Sequence, residues 1–182
     1  PHHANRDLDS SLVGSEMCIR DSSETVTATV EMLDTLTDLP QAVARYLTEK
    51  KLPDRIALQP RQSLTELDWG AISLSHSADE NEAVAVTFAD AGIAETGSLV
   101  FQTAPDAPVL LNFLPLHHLA VLRTSTIERH MEQAFDRFGT DRPSQQRSLN
   151  IITGTSGTAD IEAKNVRGAH GPRFMHIFCV CD

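Results

Sequence analysis

The stretch "HLAVLRTSTIERHMEQAFDRF", residues 118–138, sets the fold class. After His118, the residues Leu119 to Leu122 are all apolar, with β-branched Val121 among them, the composition of a buried strand. The residues after Leu122 have the spacing of an amphipathic helix. Ile127, Met131, Ala134, Phe135 and Phe138 share one helical face, and Thr124 or Ser125 is placed to cap its N-terminus. A strand that runs straight into a helix is the repeating unit of α/β proteins.

The same alternation extends in both directions. Upstream, "ETVTATV" (Glu24 to Val30) reads as a strand. "LTDLPQAVARYLTEK" reads as a helix with Leu36, Leu39, Val43 and Leu47 on one side and Pro40 near its start, where proline is tolerated. "RIAL" (Arg55 to Leu58) and "AISL" (Ala71 to Leu74) are brief apolar runs between turn signals. Strands are expected at Val84 to Thr87 and at Ser98 to Phe101. Downstream, a polar loop (Asp141 to Ser148) leads to the strand "LNIIT", then to a loop, a short helix and a turn, and to a last strand, "RFMHIF". The expected fold is α/β, a mostly parallel sheet flanked by helices.

Composition narrows the function classes. At 182 residues the chain suits one domain with a substantial core. It is 41% hydrophobic and 22% charged, as soluble globular proteins are, and no apolar run is long enough to cross a bilayer. The net charge of −10, from 25 acidic and 15 basic residues, repels a phosphate backbone, so nucleic acid is not an expected partner.

The two ends read differently from the middle. "SSLVGSEMCIRDS", residues 10–22, has neither helical nor strand periodicity and resembles the translation of sequencing-adapter DNA. Residues 1–22 are therefore expected to be non-native or disordered, with Cys18 functionless. The last four residues, Cys179 to Asp182, raise the same expectation. On that reading all three cysteines lie in the suspect ends. The core then has no disulfide framework, no thiolate nucleophile and no cysteine-based metal site, which points to a reducing, cytoplasmic protein.

Four stretches have the residue types that chemistry uses. In "LNIITGTSGTADIE" a strand runs into a small-residue loop and a helix whose first turn holds Asp160 and Glu162. Backbone N–H groups of such loops hold anions, and Thr153, Thr155, Ser156 and Thr158 add hydroxyls. A plain strand-to-helix turn capped by Thr158 would read the same way. In "GIAETGSLVF", Glu95 is an isolated acid at a strand bend. It suits a base, a nucleophile or a ligand, and equally a turn carboxylate that accepts backbone N–H bonds. In "LPLHHLAVL", His117 and His118 face opposite sides of a strand, so only one can serve any one site, and no metal-ligand spacing accompanies them. In "GAHGPRFMHI", His170 sits on a rigid turn that suits either a pocket or a structural role. The Gly-x-Ser-x-Gly elbow of hydrolases is missing around Ser156.

Together, "IAETGSLV", "LPLHHLAVL", "ITGTSGTADIE" and "GAHGPRFMHI" resemble the lactate-utilization (LUD) domain family, in particular its short C-type subunit, over roughly residues 84–178. The resemblance implies a fold like that of the ribose-5-phosphate isomerase and CoA-transferase group, in a single LUD domain over residues 23–182 without the family's N-terminal helix. It implies a cytoplasmic bacterial subunit, and a core without a cysteine cluster for iron–sulfur ligation makes the expected subunit non-redox, with no cofactor of its own. Such a subunit acts with iron–sulfur partner subunits in oxidising L-lactate to pyruvate. By position, the family's marked residues fall on Glu95, Thr96, Gly97, His118, Thr153, Gly154, Ser156, Thr158, Asp160, Ile161, Glu162, His170, Gly171 and Pro172. Glu95, His118 and His170 are the catalytic candidates. Thr96, Gly97 and the 153–162 loop, Thr155 included, are the candidates for holding a small carboxylate or phosphate. Thr155 stands where the family usually has proline, and Gly157 where a basic residue is common. Two other readings stay open: an autonomous CoA-transferase or isomerase-like enzyme using Glu95 as base or nucleophile, and a regulatory module that binds a small anion.

Overall fold

Helix α2 (Leu39–Lys50) forms where the apolar spacing predicts it, after a tight turn in which the Asp38 carboxylate accepts the Thr35 N–H at 3.0 Å. The computed structural model describes residues 14, 17–77, 83–138, 148–159, 165–168 and 170–181. Leu39, Val43 and Leu47 of α2 are completely buried against one face of a six-stranded, all-parallel sheet. Burying each such side chain stabilises the fold by about 2 kcal/mol. A single turn, α3 (Gln62–Thr65), adds the buried Leu64 to the same cluster.

The order of that sheet is β1 (Ala28–Leu33), β12 (Phe174–Val180), β7 (His117–Arg123), β4 (Val84–Phe88), β2 (Arg55–Leu58) and β3 (Ser73–Ser75). The last strand of the chain thus lies between the first and the seventh. Parallel sheets need cover on both faces, and here the two covers differ. Leu119 and Val121 of β7, with Phe178 and Val180 of β12, pack with α2. On the other face, Ala120 and Leu122 of β7 and Met175, Ile177 and Cys179 of β12 pack on a second sheet. That sheet has the order β8 (Ile127–Glu128), β5 (Ala91–Ile93), β6 (Ser98–Gln102) and β9 (Leu149–Thr153), with antiparallel β5–β6 and β6–β9 pairs. Its outer side is covered by α4 (Met131–Phe138), through Ala134, Met131 and Phe138. The result is a layered order of helix, parallel sheet, small sheet and helix. Strand β5 escapes a pattern reading because it has three residues and no alternation.

Several local expectations are corrected. The helix expected from Thr124 begins only at Met131, because Ile127 and Glu128 pair with Gly92 and Ile93 instead. Two acceptors fix that start: Glu95 takes the Met131 N–H, and the Gln133 side chain takes those of Arg129 and His130. Gly157–Ala159 is not the start of a helix capped by Thr158. It forms β10, paired antiparallel with β11 (Asn165–Arg167). Glu24 to Val30 is divided between the end of a helix and the start of β1.

Parts of both ends pack into the fold, while residues 1–13, 15, 16 and 182 lie outside the described residues. Residues 17–25 form helix α1, and Ile19, only 1% exposed, packs in the core with Leu99 and Leu122. Gly92 makes room for it, since a Cβ there would meet the Ile19 Cδ1 at 2.5 Å. Periodicity missed α1 because a single turn of apolar contact is too short to show a repeat. Cys179 and Val180 are buried in β12, hydrogen-bonded in register between β1 and β7. Cys179 is therefore a core residue, and the cysteine-free core expected from the sequence does not hold. Cys18 and Cys181 are exposed. Among the described residues, no helix is long and apolar enough to cross a membrane.

Candidate functional site

Strands β4, β7 and β12 all start at the same edge of the parallel sheet, and a cleft of about 300 Å³ opens there. The cleft thus sits at the amino ends of the parallel strands, opposite to the carboxyl-end crevice usual in open α/β sheets. The end of β9 and the loop after it reach the cleft from the second sheet, which packs on this face of the parallel sheet.

The cleft collects much of what the sequence singled out. His118 enters from β7, Thr153 to Ser156 from the loop after β9, and His170, Gly171 and Pro172 from the turn before β12. Asn112, Phe113, Ile151, Ile152 and Met175 complete the lining. Asn112 was not among the residues expected from the sequence. The available signal was a lone amide within the apolar run "VLLNFLPL", since a buried polar side chain needs a partner.

The Thr153–Ser156 loop is held from both sides. Thr153 Oγ1 lies 2.6 Å from Ser98 Oγ, which lies 2.7 Å from Thr96 Oγ1. Gly154 has φ +68°, and a Cβ on it would fall 2.0 Å from the Val26 carbonyl oxygen, so only glycine fits. Thr155 Oγ1 lies 2.6 Å from the hydroxyl of Thr27, itself at φ 70°. Ser156 donates its N–H to the Pro172 carbonyl and accepts that of Gly168. The loop is fixed in advance of any ligand, which lowers the ordering cost of binding.

His118 is fully buried. Its Nε2 lies 2.7 Å from Thr87 Oγ1 on β4, and its ring tilts against Phe101 with centroids 5.5 Å apart. Burial pushes its pKa down to about 4, so the imidazole is neutral at physiological pH. Its Nδ1 and the Oδ1 of Asn112 are buried without a hydrogen-bond partner among the described residues. Native interiors seldom leave such atoms unmet, and both residues belong to the cleft wall.

Other expected site residues lie elsewhere. Glu95 sits on the β5–β6 turn, and its carboxylate accepts the Met131 N–H at 2.8 Å and contacts His130 Nδ1 at 2.9 Å. These bonds hold its pKa below the usual carboxylate value, the His130 side chain first and the Met131 N–H second. It does not line the cleft. Gly97, at φ +64°, packs on α1, where a Cβ would meet the Ser22 carbonyl carbon at 2.6 Å. Thr96 connects to the cleft only through the hydroxyl chain to Thr153. Thr158 lies in β10, and Asp160, Ile161 and Glu162 lie outside the described residues. Among the described residues, no group of three His, Cys, Asp or Glu side chains is placed to hold a metal ion.

Comparison with known proteins agrees with this frame. The chain is 36% identical over 129 residues to the uncharacterized protein YkgG of Escherichia coli K12, covering 69% of this chain and 55% of that one. It is 34% identical over 96 residues to lactate utilization protein C of Macrococcus caseolyticus, covering 51% and 42%, and 29% identical over 135 residues to that of an Exiguobacterium strain, covering 71% and 58%. The chain thus spans about half the length of the curated relatives it matches. A crystal structure of a DUF162 family protein from Deinococcus radiodurans has the same fold, with a TM-score of 0.66 over 93% of this chain and 98% of that one, at 19% identity. Residues 19–180 match the LUD domain, and the chain belongs to the LUD domain family.

Proposed function

We propose that this chain is the C-type subunit of a bacterial lactate-utilization system and works through the cleft at the amino ends of β7 and β12. The observation that carries the reading is the pair of buried, unpartnered polar atoms, Asn112 Oδ1 and His118 Nδ1, in the wall of that cleft. Likeness to proteins named lactate utilization protein C supplies the substrate class. In this reading the chain is cytoplasmic and non-redox, and it binds and orients L-lactate. Iron–sulfur clusters of partner subunits accept the two electrons as lactate loses two protons and becomes pyruvate. Exposed Leu110, Leu114, Leu116 and Phe174 support an assembly, because apolar side chains gathered in this way mark contact surfaces.

The test is growth on L-lactate of a bacterium deleted for its own C-type relative. A gene carrying this chain should restore growth, and the Asn112→Leu variant should restore it poorly. Absence of rescue by a folded, expressed chain contradicts the proposal. Iron–sulfur proteins should co-purify with the tagged chain from the rescued cells, and a chain recovered alone would remove the partner part.

A further inference from the structure

Thr87, on β4, is 1% exposed, and its hydroxyl reaches one partner among the described residues, His118 Nε2. A buried hydroxyl proton without an acceptor is costly. Donating it to Nε2 satisfies both atoms at once. A neutral imidazole carries a single proton, so a ring that accepts at Nε2 holds that proton on Nδ1. The opposite tautomer would strand two groups, the Thr87 proton and the Nδ1 lone pair. The cleft wall therefore offers one N–H donor from His118 and, from Asn112 Oδ1, one acceptor, each buried and unmet.

We infer that this pair seats a hydroxyl group of a small molecule, which accepts from His118 Nδ1–H and donates to Asn112 Oδ1. The molecule's apolar part then packs on Ile151, Ile152 and Met175, which line the same cleft. Resting on the lactate reading above, this identifies the ligand as a 2-hydroxy acid held by its hydroxyl. A hydroxyl is the smallest neutral group with both a donor and an acceptor. A keto oxygen only accepts, so it would meet His118 and leave Asn112 Oδ1 unpaired. A methylene meets neither. The site thus prefers the alcohol to its ketone, the direction in which an oxidised product is released. Thr87 is a positioning residue that fixes the tautomer without touching the ligand.

The test is calorimetric titration of the full chain at neutral pH with L-lactate, pyruvate and propionate, and with the uncharged pair methyl L-lactate and methyl propionate. The hydroxyl compound of each set should bind about tenfold or more tightly, the cost of one buried group left unpaired. Asn112→Leu should erase the preference. In nitrogen-15 spectra of the histidine rings, His118 should carry its proton on Nδ1, and Thr87→Val should redistribute it and weaken the preference. Methyl lactate preferred over methyl propionate without binding of lactate would keep the hydroxyl seat and remove lactate as its ligand. Growth failure beside an intact hydroxyl preference would remove the proposed function alone. A ring protonated at Nε2, no binding by any probe, or equal binding within both sets overturns the inference.

Discussion

His117 and His118 are adjacent in β7, yet the two faces of the parallel sheet provide for an imidazole in different ways. On the α2 face, His117 Nδ1 lies 2.9 Å from the Tyr46 hydroxyl, and its ring stacks on Phe174 at 4.5 Å. His176, on the same face, has Nδ1 2.6 Å from Thr29 Oγ1 and its other nitrogen 3.6 Å from a Glu31 carboxylate oxygen. That second nitrogen, Nε2, is itself buried without a hydrogen-bond partner among the described residues, the Glu31 oxygen lying beyond hydrogen-bond distance. On the other face, His118, a residue of the cleft wall, has one nitrogen anchored by Thr87 and the other buried without a partner among the described residues. Two histidines of equal standing in the sequence thus meet different surroundings: Tyr46 and Phe174 beside His117, Thr87 and a cleft-lining position for His118.

The harshest way to break the cleft side alone is Gly154→Ala. With φ +68° and the Val26 carbonyl oxygen 2.0 Å from the added Cβ, the loop must move. A loss of about 3 kcal/mol in denaturant unfolding is expected, with loss of ligand binding. Wild-type stability would show that the loop is not held as described.

Acid comes next. A His whose folded pKa is depressed destabilises the fold as pH falls, because the unfolded chain takes up the proton first. His118 should therefore lower stability progressively from about pH 6.5 to about pH 4, by about 3 kcal/mol in all. Burial pushes His117 in the same direction, and also His176, where Glu31 opposes it. Thermal unfolding against pH should lose most of this slope in His118→Phe, and an unchanged slope would mean that His118 is not the buried neutral group.

Tyr46→Phe sharpens the contrast from the α2 side. It strips His117 Nδ1 of its partner and should cost about 1–2 kcal/mol of stability. The lactate-over-pyruvate preference should be untouched, and a changed preference would couple the two faces. Glu95→Gln should have the smallest effect. It weakens the acceptor at the start of α4, so the Met131 amide should exchange faster while cleft binding stays the same. Loss of binding would return Glu95 to the site.

Much of the parallel sheet was legible, because β2, β4, β7 and β12 are apolar runs and α2 has a full helical stripe. The second sheet was not. β5 is three residues long, and Ile127 fits a helical face as well as a strand, so its pairing with Gly92 had to come from tertiary contact. At the site, His118 and the 153–156 loop were legible from their residue types. Their convergence was not, because it depends on how the second sheet packs on the parallel one. Glu95 drew attention as an acid in apolar surroundings, a pattern that a helix-capping carboxylate shares with a catalytic one. Asn112 went unnoticed because nothing local distinguishes an unpaired amide from a paired one.

One nitrogen-15 spectrum holds both histidines of β7. L-lactate is titrated into the full chain while the ring nitrogens of His117 and His118 are followed. The His118 Nδ1 signal should shift with saturation while the His117 ring stays fixed. A still His118, or equal movement of both rings, would contradict the binding of lactate at His118.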